Sequence, residues 1–260
     1  MSDLQGKTAI VTGAAGGIGR ATALLMARRG ASLMLADIGA GVEETAAQIR
    51  AKGGRAEALV TDCATDDGVR ALVDHAMKAF GRVDILHANA GITGGLLPRL
   101  DTPSADFMEV LRINLLGPWI AIRETLPHLQ PGAAIICTAS VAGLRAGAGP
   151  IPYSASKAGV VNLVQTTAMA LTGRGIRVNG VAPGLIDTPM TAPLFDEARA
   201  RGREDRIGQL NPLRRGGRAE EVAEVVAFLA SDAASYLNGQ VLAVDGALSA
   251  QLPFTPKWSL

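Results

Sequence analysis

Cysteine and histidine are scarce in this 260-residue chain, which has two of the first and three of the second. Cys63 and Cys137 lie far apart, each beside an apolar run of strand length, where a small buried side chain belongs. No disulfide is expected, and a reducing compartment is. His75, His87 and His128 share no metal-ligand spacing with one another or with cysteine, so no metal centre is expected. An excess of charge is missing as well: 25 Lys and Arg against 24 Asp and Glu leave a formal charge of +1, no footprint for nucleic acid or an anionic membrane. No run of about 18 apolar residues occurs, and the opening segment Met1–Lys7 lacks the basic stretch and apolar core of a signal peptide. The expectation is a cytoplasmic protein that acts on small molecules.

What the chain does have is apolar content, 48% of its residues, enough to close one large core. Apolar runs of strand length recur at Thr8–Val11, Ser32–Ala36, Ala56–Thr61, Val83–Ala88, Ala133–Thr138, Arg177–Ala182 and Gln240–Val244. Between them, helical spacing marks Ile18–Arg29, Val42–Ala51, Asp67–Phe80, Ser104–Leu129, Tyr153–Leu171 and Ala219–Ala230. Strand alternating with helix predicts an α/β fold: a Rossmann-like, doubly wound, seven-stranded parallel sheet with helices on both faces. No repeat or low-complexity linker divides it, so residues 1–260 are read as a single domain. One stretch, about 187–212, breaks the alternation, mixing Met190, Leu194 and Phe195 with a charged run, and suits either a lid over a ligand or a solvated surface helix. Residues 250–260 form a tail.

In open parallel sheets ligands sit beyond the carboxyl ends of the strands. The first strand ends in a glycine-rich turn holding Gly13, Gly17, Ile18 and Gly19, where the backbone can approach a pyrophosphate and the next helix offers its N-terminal amides. The second ends in Asp37, about 20 residues further on, where a carboxylate accepts hydrogen bonds from both hydroxyls of an adenosine ribose. A 2′-phosphate there would meet that charge, and no basic residue stands at Gly16, Ile38 or Gly39 to offset it, which points to NAD rather than NADP. The third strand ends in Asp62 and Cys63, where Asp62 suits an adenine amino group. The fourth ends in Asn89, Ala90 and Gly91, where Asn89 suits bracing of the central strands. Each of these also suits a plain turn. The fifth ends in Ser140, and the sixth in Pro183 and Gly184, with Ile186 and Thr188 following.

Tyr153 and Lys157 stand four apart at the start of a helix, on one face. A free phenol titrates near 10, so tyrosinate at pH 7 costs about 4 kcal/mol unless positive charge supports it. Lys157 and an oxidised nicotinamide ring both supply such charge. Oxidation of an alcohol removes a hydride from carbon and a proton from oxygen, so a base and an acceptor ring must be held together, and Ser140 and Tyr153 can both reach one substrate oxygen.

Taken together, Thr12-Gly13-x-x-x-Gly17-Ile18-Gly19, Asn89-Ala90-Gly91, Asn114, Ser140, Tyr153-x-x-x-Lys157 and Pro183-Gly184 resemble the short-chain dehydrogenase/reductase family, from about Lys7 to Gly246. The resemblance implies that Tyr153 is the acid/base and that Ser140 holds the substrate oxygen. It implies that Lys157 binds the nicotinamide ribose and lowers the tyrosine pKa, that Asn114 anchors a relay water, and that Ile186 and Thr188 contact the nicotinamide carboxamide. Two departures are visible: Ala15-Gly16 stand where the family often has a serine or a basic residue, and Asp245-Gly246-Ala247 replaces a more usual double glycine.

The expected function is NAD-dependent interconversion of a secondary alcohol and a ketone. Val141–Leu144, Leu96, Leu97, Ile151 and the 190–195 stretch suggest an apolar cleft and a lipophilic or cyclic substrate, unless Arg99 or Arg145 points inward. Two other readings are a 3-oxoacyl-carrier-protein reductase, suggested by the segment from Ile92 to Leu97, and a redox-sensing nucleotide-binding protein, which has little need of Tyr153 with Lys157. The basic cluster of Arg214, Arg215 and Arg218 reads as a solvated turn. Helices 104–129 and 153–171 are apolar around much of their circumference, and the family resemblance implies that they pair between subunits, commonly in a homotetramer, with the tail adding contacts.

Overall fold

A computed structural model describes residues 3–95, 99–203, 207 and 211–250. Every expected strand is present: β1 (Thr8–Thr12), β2 (Ser32–Asp37), β3 (Ala56–Val60), β4 (Ile85–Ala88), β5 (Ala134–Thr138), β6 (Arg177–Pro183) and, last in the chain, β9 (Val241–Val244). They pair in parallel in the order β3-β2-β1-β4-β5-β6-β9, so the winding reverses between β1 and β4 and opens a crevice at their carboxyl ends. The central strands are uninterrupted runs of buried residues, as a sheet covered on both faces requires.

One face buries Met26 of α1 (Gly17–Arg28), Ile49 of α2 (Gly41–Ala51) and Val226 of α8 (Ala219–Ala230). The other buries Leu72 of α3 (Asp66–Phe80), Ile120 of α5 (Gly117–Thr125) and Val164 of α6 (Ile151–Ala170). A short parallel pair, β7 (Ile186–Asp187) with β8 (Gly217–Arg218), brackets α7 (Ala192–Ala200).

The single helix expected over 104–129 is broken. It consists of α4 (Ser104–Leu111), a π-turn (Arg112–Leu116), α5 and a 3-10 turn (Leu126–His128). The break has a cause in the sequence: Pro118 lies four residues after Asn114 and has no N–H to close the α-helical bond to its carbonyl. The wider turn takes up the difference, and such turns often sit at functional sites.

The 187–212 stretch is partly helical, as α7, with its charges paired on the surface: Arg199 with Asp187 and Asp196, and Arg201 with Glu197. The tail from 251 and the pair Leu96 and Leu97 lie outside the described residues. At the departure from the double glycine, Ala247 adopts φ +71°, in the left-handed region, while Asp245 accepts hydrogen bonds from the Ala247 and Ser249 amides.

Candidate active site

Beyond the carboxyl ends of the strands lies a cavity of about 380 Å³. It runs from Asp37 and Asp62 past the glycine turn to Ser140, Tyr153 and Lys157, with Pro183, Gly184, Ile186 and Thr188 along it. Every expected catalytic or cofactor-binding residue lines it except Gly19 and Asn114, which support it from behind. Gly13 and Gly17 have φ of +68° and +52°, which only glycine adopts without strain. Gly19 is needed for contact: a Cβ there would lie 2.1 Å from the Gly13 carbonyl oxygen.

At the adenosine end, Asp37 caps no helix. One of its oxygens accepts from the Ala15 amide at 3.0 Å and the other from Gly39 at 2.9 Å, so the carboxylate is fixed beside the glycine turn with lone pairs to spare. Arg20 was not anticipated here. It reaches the turn after Asp37, donating to Thr45 Oγ1 at 3.0 Å, with its charge paired to Glu44. Asp62 accepts from the Ala64 amide at 2.8 Å and from Arg112 at 3.0 Å. Cys63 is buried, and burial pushes its thiol up to about 12, so it offers shape rather than reactivity.

Asn89 braces the sheet as the sequence suggested. Its amide nitrogen donates to the Thr12 and Gly13 carbonyls at 3.1 and 3.3 Å, and its oxygen accepts from Thr138 Oγ1 at 3.0 Å. Because that hydroxyl proton is committed to Asn89, His87, 3.0 Å from the same oxygen, must be the donor through Nε2. Burial alone lowers the His87 pKa from 6.5 to about 3, so the ring is neutral in the native protein. The unfolded chain takes up a proton as the pH falls below 6.5 while the native one does not until about 3, so stability is lost through that window. Between pH 6.5 and 5 the loss is about 2 kcal/mol, at about 1.4 kcal/mol per unit. Urea unfolding of the protein and of His87→Val at pH 7 and 5 checks it; an equal acid loss in both removes His87 as the cause.

At the other end, Ser140 ends the run after β5, and its hydroxyl accepts from the Ala142 amide at 3.2 Å, holding a tight turn over Val141–Gly143. Gly143 lets that turn lie on α6, since a Cβ would fall 2.5 Å from the Lys157 carbonyl carbon. This contact brings Ser140 to Tyr153. Lys157 is buried, donates from Nζ to the Thr138 carbonyl at 2.7 Å and lies 5.7 Å from the centre of the Tyr153 ring. Burial lowers its pKa to about 8. The phenol moves against the sequence expectation: burial raises it above its ordinary value, and the hydrogen bond with Ser140 recovers only part. The protein's own groups therefore keep Tyr153 protonated at neutral pH.

Asn114 is fully buried in the π-turn. Its side-chain oxygen accepts from the Ile92 amide at 2.8 Å, and its nitrogen donates to the Ile92 carbonyl at 2.8 Å and to Ser156 Oγ at 3.0 Å. Ser156 in turn donates to the Tyr153 carbonyl at 2.7 Å. The side chain thus ties the 91–92 segment to the helix that carries Tyr153.

Ile92, Ile113 and Met190 contribute apolar side chains to the cavity lining. Arg99 is paired with Asp101 at the surface, and Arg145 donates to the Ser249 carbonyl at 2.7 Å; neither lines the cavity. Phe195 is buried against Gly216 instead, and Val141–Leu144, Ile151 and Leu194 do not line the cavity.

The residues fit a dinucleotide: carboxylates at one end, bare backbone amides in the middle and a Tyr-Lys-Ser cluster at the other. Among the described residues no group of three or more His, Cys, Asp or Glu could hold a metal ion, and no helix is long and apolar enough to cross a membrane.

Comparison with known proteins agrees with this geometry. A family model described as enoyl-(acyl carrier protein) reductase matches residues 13–249. The chain is 42% identical over 246 residues to cis-4-hydroxycyclohexanecarboxylate dehydrogenase of Sinomonas cyclohexanicum, covering 94% of this chain and 97% of that one. It is 39% identical over 249 residues to a 3-oxoacyl-[acyl-carrier-protein] reductase of Thermotoga maritima, covering 94% and 98%. The crystal structure of levodione reductase superposes with a TM-score of 0.89 at 36% identity, covering 95% of this chain and 99% of that one.

Proposed function

Because the chain belongs to the short-chain dehydrogenase/reductase family and is therefore an oxidoreductase of alcohols and ketones, we propose that it interconverts a lipophilic, cyclic secondary alcohol and its ketone with NAD. The observation that carries this reading is the set of apolar side chains, Ile92, Ile113 and Met190, in the lining of the cavity that also holds Ser140, Tyr153 and Lys157, with both candidate arginines tied elsewhere. A sugar or an acid would call for convergent hydrogen bonds or an arginine clamp. One relative is named for cis-4-hydroxycyclohexanecarboxylate, which supports a ring while also carrying an acid, and another is named for levodione.

A nicotinamide ring, when bound, supplies the hydride acceptor or donor that no side chain can be. Lys157, Asp37 and the glycine turn are the residues that would hold the dinucleotide. Ser140 and Tyr153 share the substrate oxygen. In reduction, Tyr153 gives its proton to the carbonyl oxygen as the carbon gains hydride; in oxidation it takes the hydroxyl proton as the carbon loses hydride. A buried, protonated phenol suits reduction at neutral pH, and oxidation draws on the positive charge of Lys157.

The same reading makes the protein a cytoplasmic homotetramer. Two buried free cysteines support a reducing compartment, and Met108, Leu116, Trp119 and Met169 expose apolar surface along the helices expected to pair.

The test is turnover of a substituted cyclohexanol against a linear polyol, each with NAD. We expect kcat/KM to favour the ring by about tenfold or more, the scale of apolar pocket discrimination. Preference for the polyol overturns the substrate class. A second reading, reduction of a 3-oxoacyl thioester, is favoured by the Thermotoga maritima relative, and faster turnover of such a thioester would put it first.

A further inference from the structure

The π-turn touches both ends of the cavity. At its start, Arg112 donates from one nitrogen to Asp62 at 3.0 Å and to the Ala64 carbonyl at 3.1 Å. Its other two nitrogens close a pair of 2.8 Å bonds to Glu109 of α4. Just past its end, Gly117 packs closely on the same segment: a Cβ would lie 3.3 Å from the Cys63 carbonyl oxygen and 3.4 Å from Ala64. The turn is therefore fastened to the 62–64 segment at both ends. Between these fastenings stands Asn114, bonded to both backbone groups of Ile92 and, through Ser156, to the backbone of Tyr153.

The chain of contacts is unbroken: 62–64 segment, Arg112, π-turn, Asn114, then Ile92 and the first turn of α6. Nothing slack separates its members, because Asn114 is fully buried and each step is a hydrogen bond of 3.1 Å or less or a close packing contact. A lysine at 112 could not replace the arginine, since a single ammonium cannot grip Asp62 and Glu109 together in planar pairs.

We propose that Arg112 is a positioning residue that couples occupancy of the adenine end to the placement of Ile92 and of the Tyr153 helix. The inference rests on the dinucleotide reading above and adds to it a direction of influence. An adenine ring against Asp62 fixes the 62–64 segment; Arg112 passes that restraint to the π-turn; Asn114 passes it to the two segments that flank the reacting atoms. The binding energy of a remote, non-reacting part is thereby used to order the reacting part.

The experiment uses 5′-AMP, which carries adenine and ribose but no nicotinamide, and follows amide hydrogen exchange in the whole protein. Saturating AMP is expected to slow exchange about fivefold or more in peptides covering 90–95 and 150–158, the lower end of ordinary coupling between sites. In Arg112→Gln, AMP should still bind and the slowing should be lost from both peptides. In turnover, the same variant is expected to lose about fivefold in kcat while the KM for NAD moves by about twofold or less. If Arg112→Gln does not fold, Arg112→Lys carries the test with the same expected loss. Failure of AMP to bind the unaltered protein removes the dinucleotide reading and the coupling with it. Binding without slowed exchange, or with equal slowing in the variant, removes the coupling alone.

Discussion

Tyr153→Phe is expected to lower kcat by about a thousandfold while leaving dinucleotide affinity within about twofold of its starting value. The substitution removes one oxygen and leaves the ring that fills the cavity wall. Lys157 keeps its bond to the Thr138 carbonyl, and Ser140 keeps its turn. What is lost is the group proposed to exchange a proton with the substrate oxygen, worth about 4 kcal/mol on the barrier. The unaltered enzyme should reduce ketones well at neutral pH, because burial holds the phenol protonated, and should oxidise alcohols faster as the pH rises. Steady-state rates in both directions with a cyclic alcohol and its ketone measure this, and dinucleotide binding by fluorescence supplies the control. A loss of tenfold or less would assign the proton transfer to another group.

The second large effect concerns the cofactor. Asp37 is held by the Ala15 and Gly39 amides where the adenosine ribose would lie, and a 2′-phosphate at contact distance would be repelled by about 4 kcal/mol at an effective dielectric near 20. Relaxation reduces this, so the protein is expected to prefer NAD over NADP by about a hundredfold or more in kcat/KM. Arg20 lies close to the same turn, but its charge is paired with Glu44, so it offers little counterweight. Asp37→Asn removes the charge, keeps the shape and should bring the ratio down by about a hundredfold, raising the KM for NAD and lowering that for NADP. Initial rates with both cofactors check it. Equal use of NAD and NADP by the unaltered protein would show that Asp37 does not select the cofactor.

The sheet was legible in the sequence because parallel strands buried on both faces leave apolar runs, as in β1 and β5, and the pattern survived the interruptions by Glu57 in β3 and Asn179 in β6. The crevice was legible for a related reason: chemistry-bearing residues such as Asp37, Ser140 and Gly184 follow those runs directly. The family resemblance singled out Asn114, but its setting was not visible. A proline four residues later was the available signal, and helical spacing from 104 to 129 concealed it. Arg112 could not be placed from sequence, because its partner Asp62 is 50 residues away and nothing local marks the pair. The direction of the Tyr153 shift was also hidden, since it depends on how deeply the ring is buried rather than on which residues are near it in the chain.

The central claim is hydride transfer from a ring carbinol to NAD with Tyr153 taking the proton. A cyclohexanol carrying deuterium on the carbinol carbon tests it most directly, by mass analysis of the nicotinamide after turnover. One deuterium is expected in the reduced nicotinamide with the unaltered protein, and almost none formed over the same time with Tyr153→Phe. Reduced nicotinamide without the label, or equal label from the variant, would contradict it.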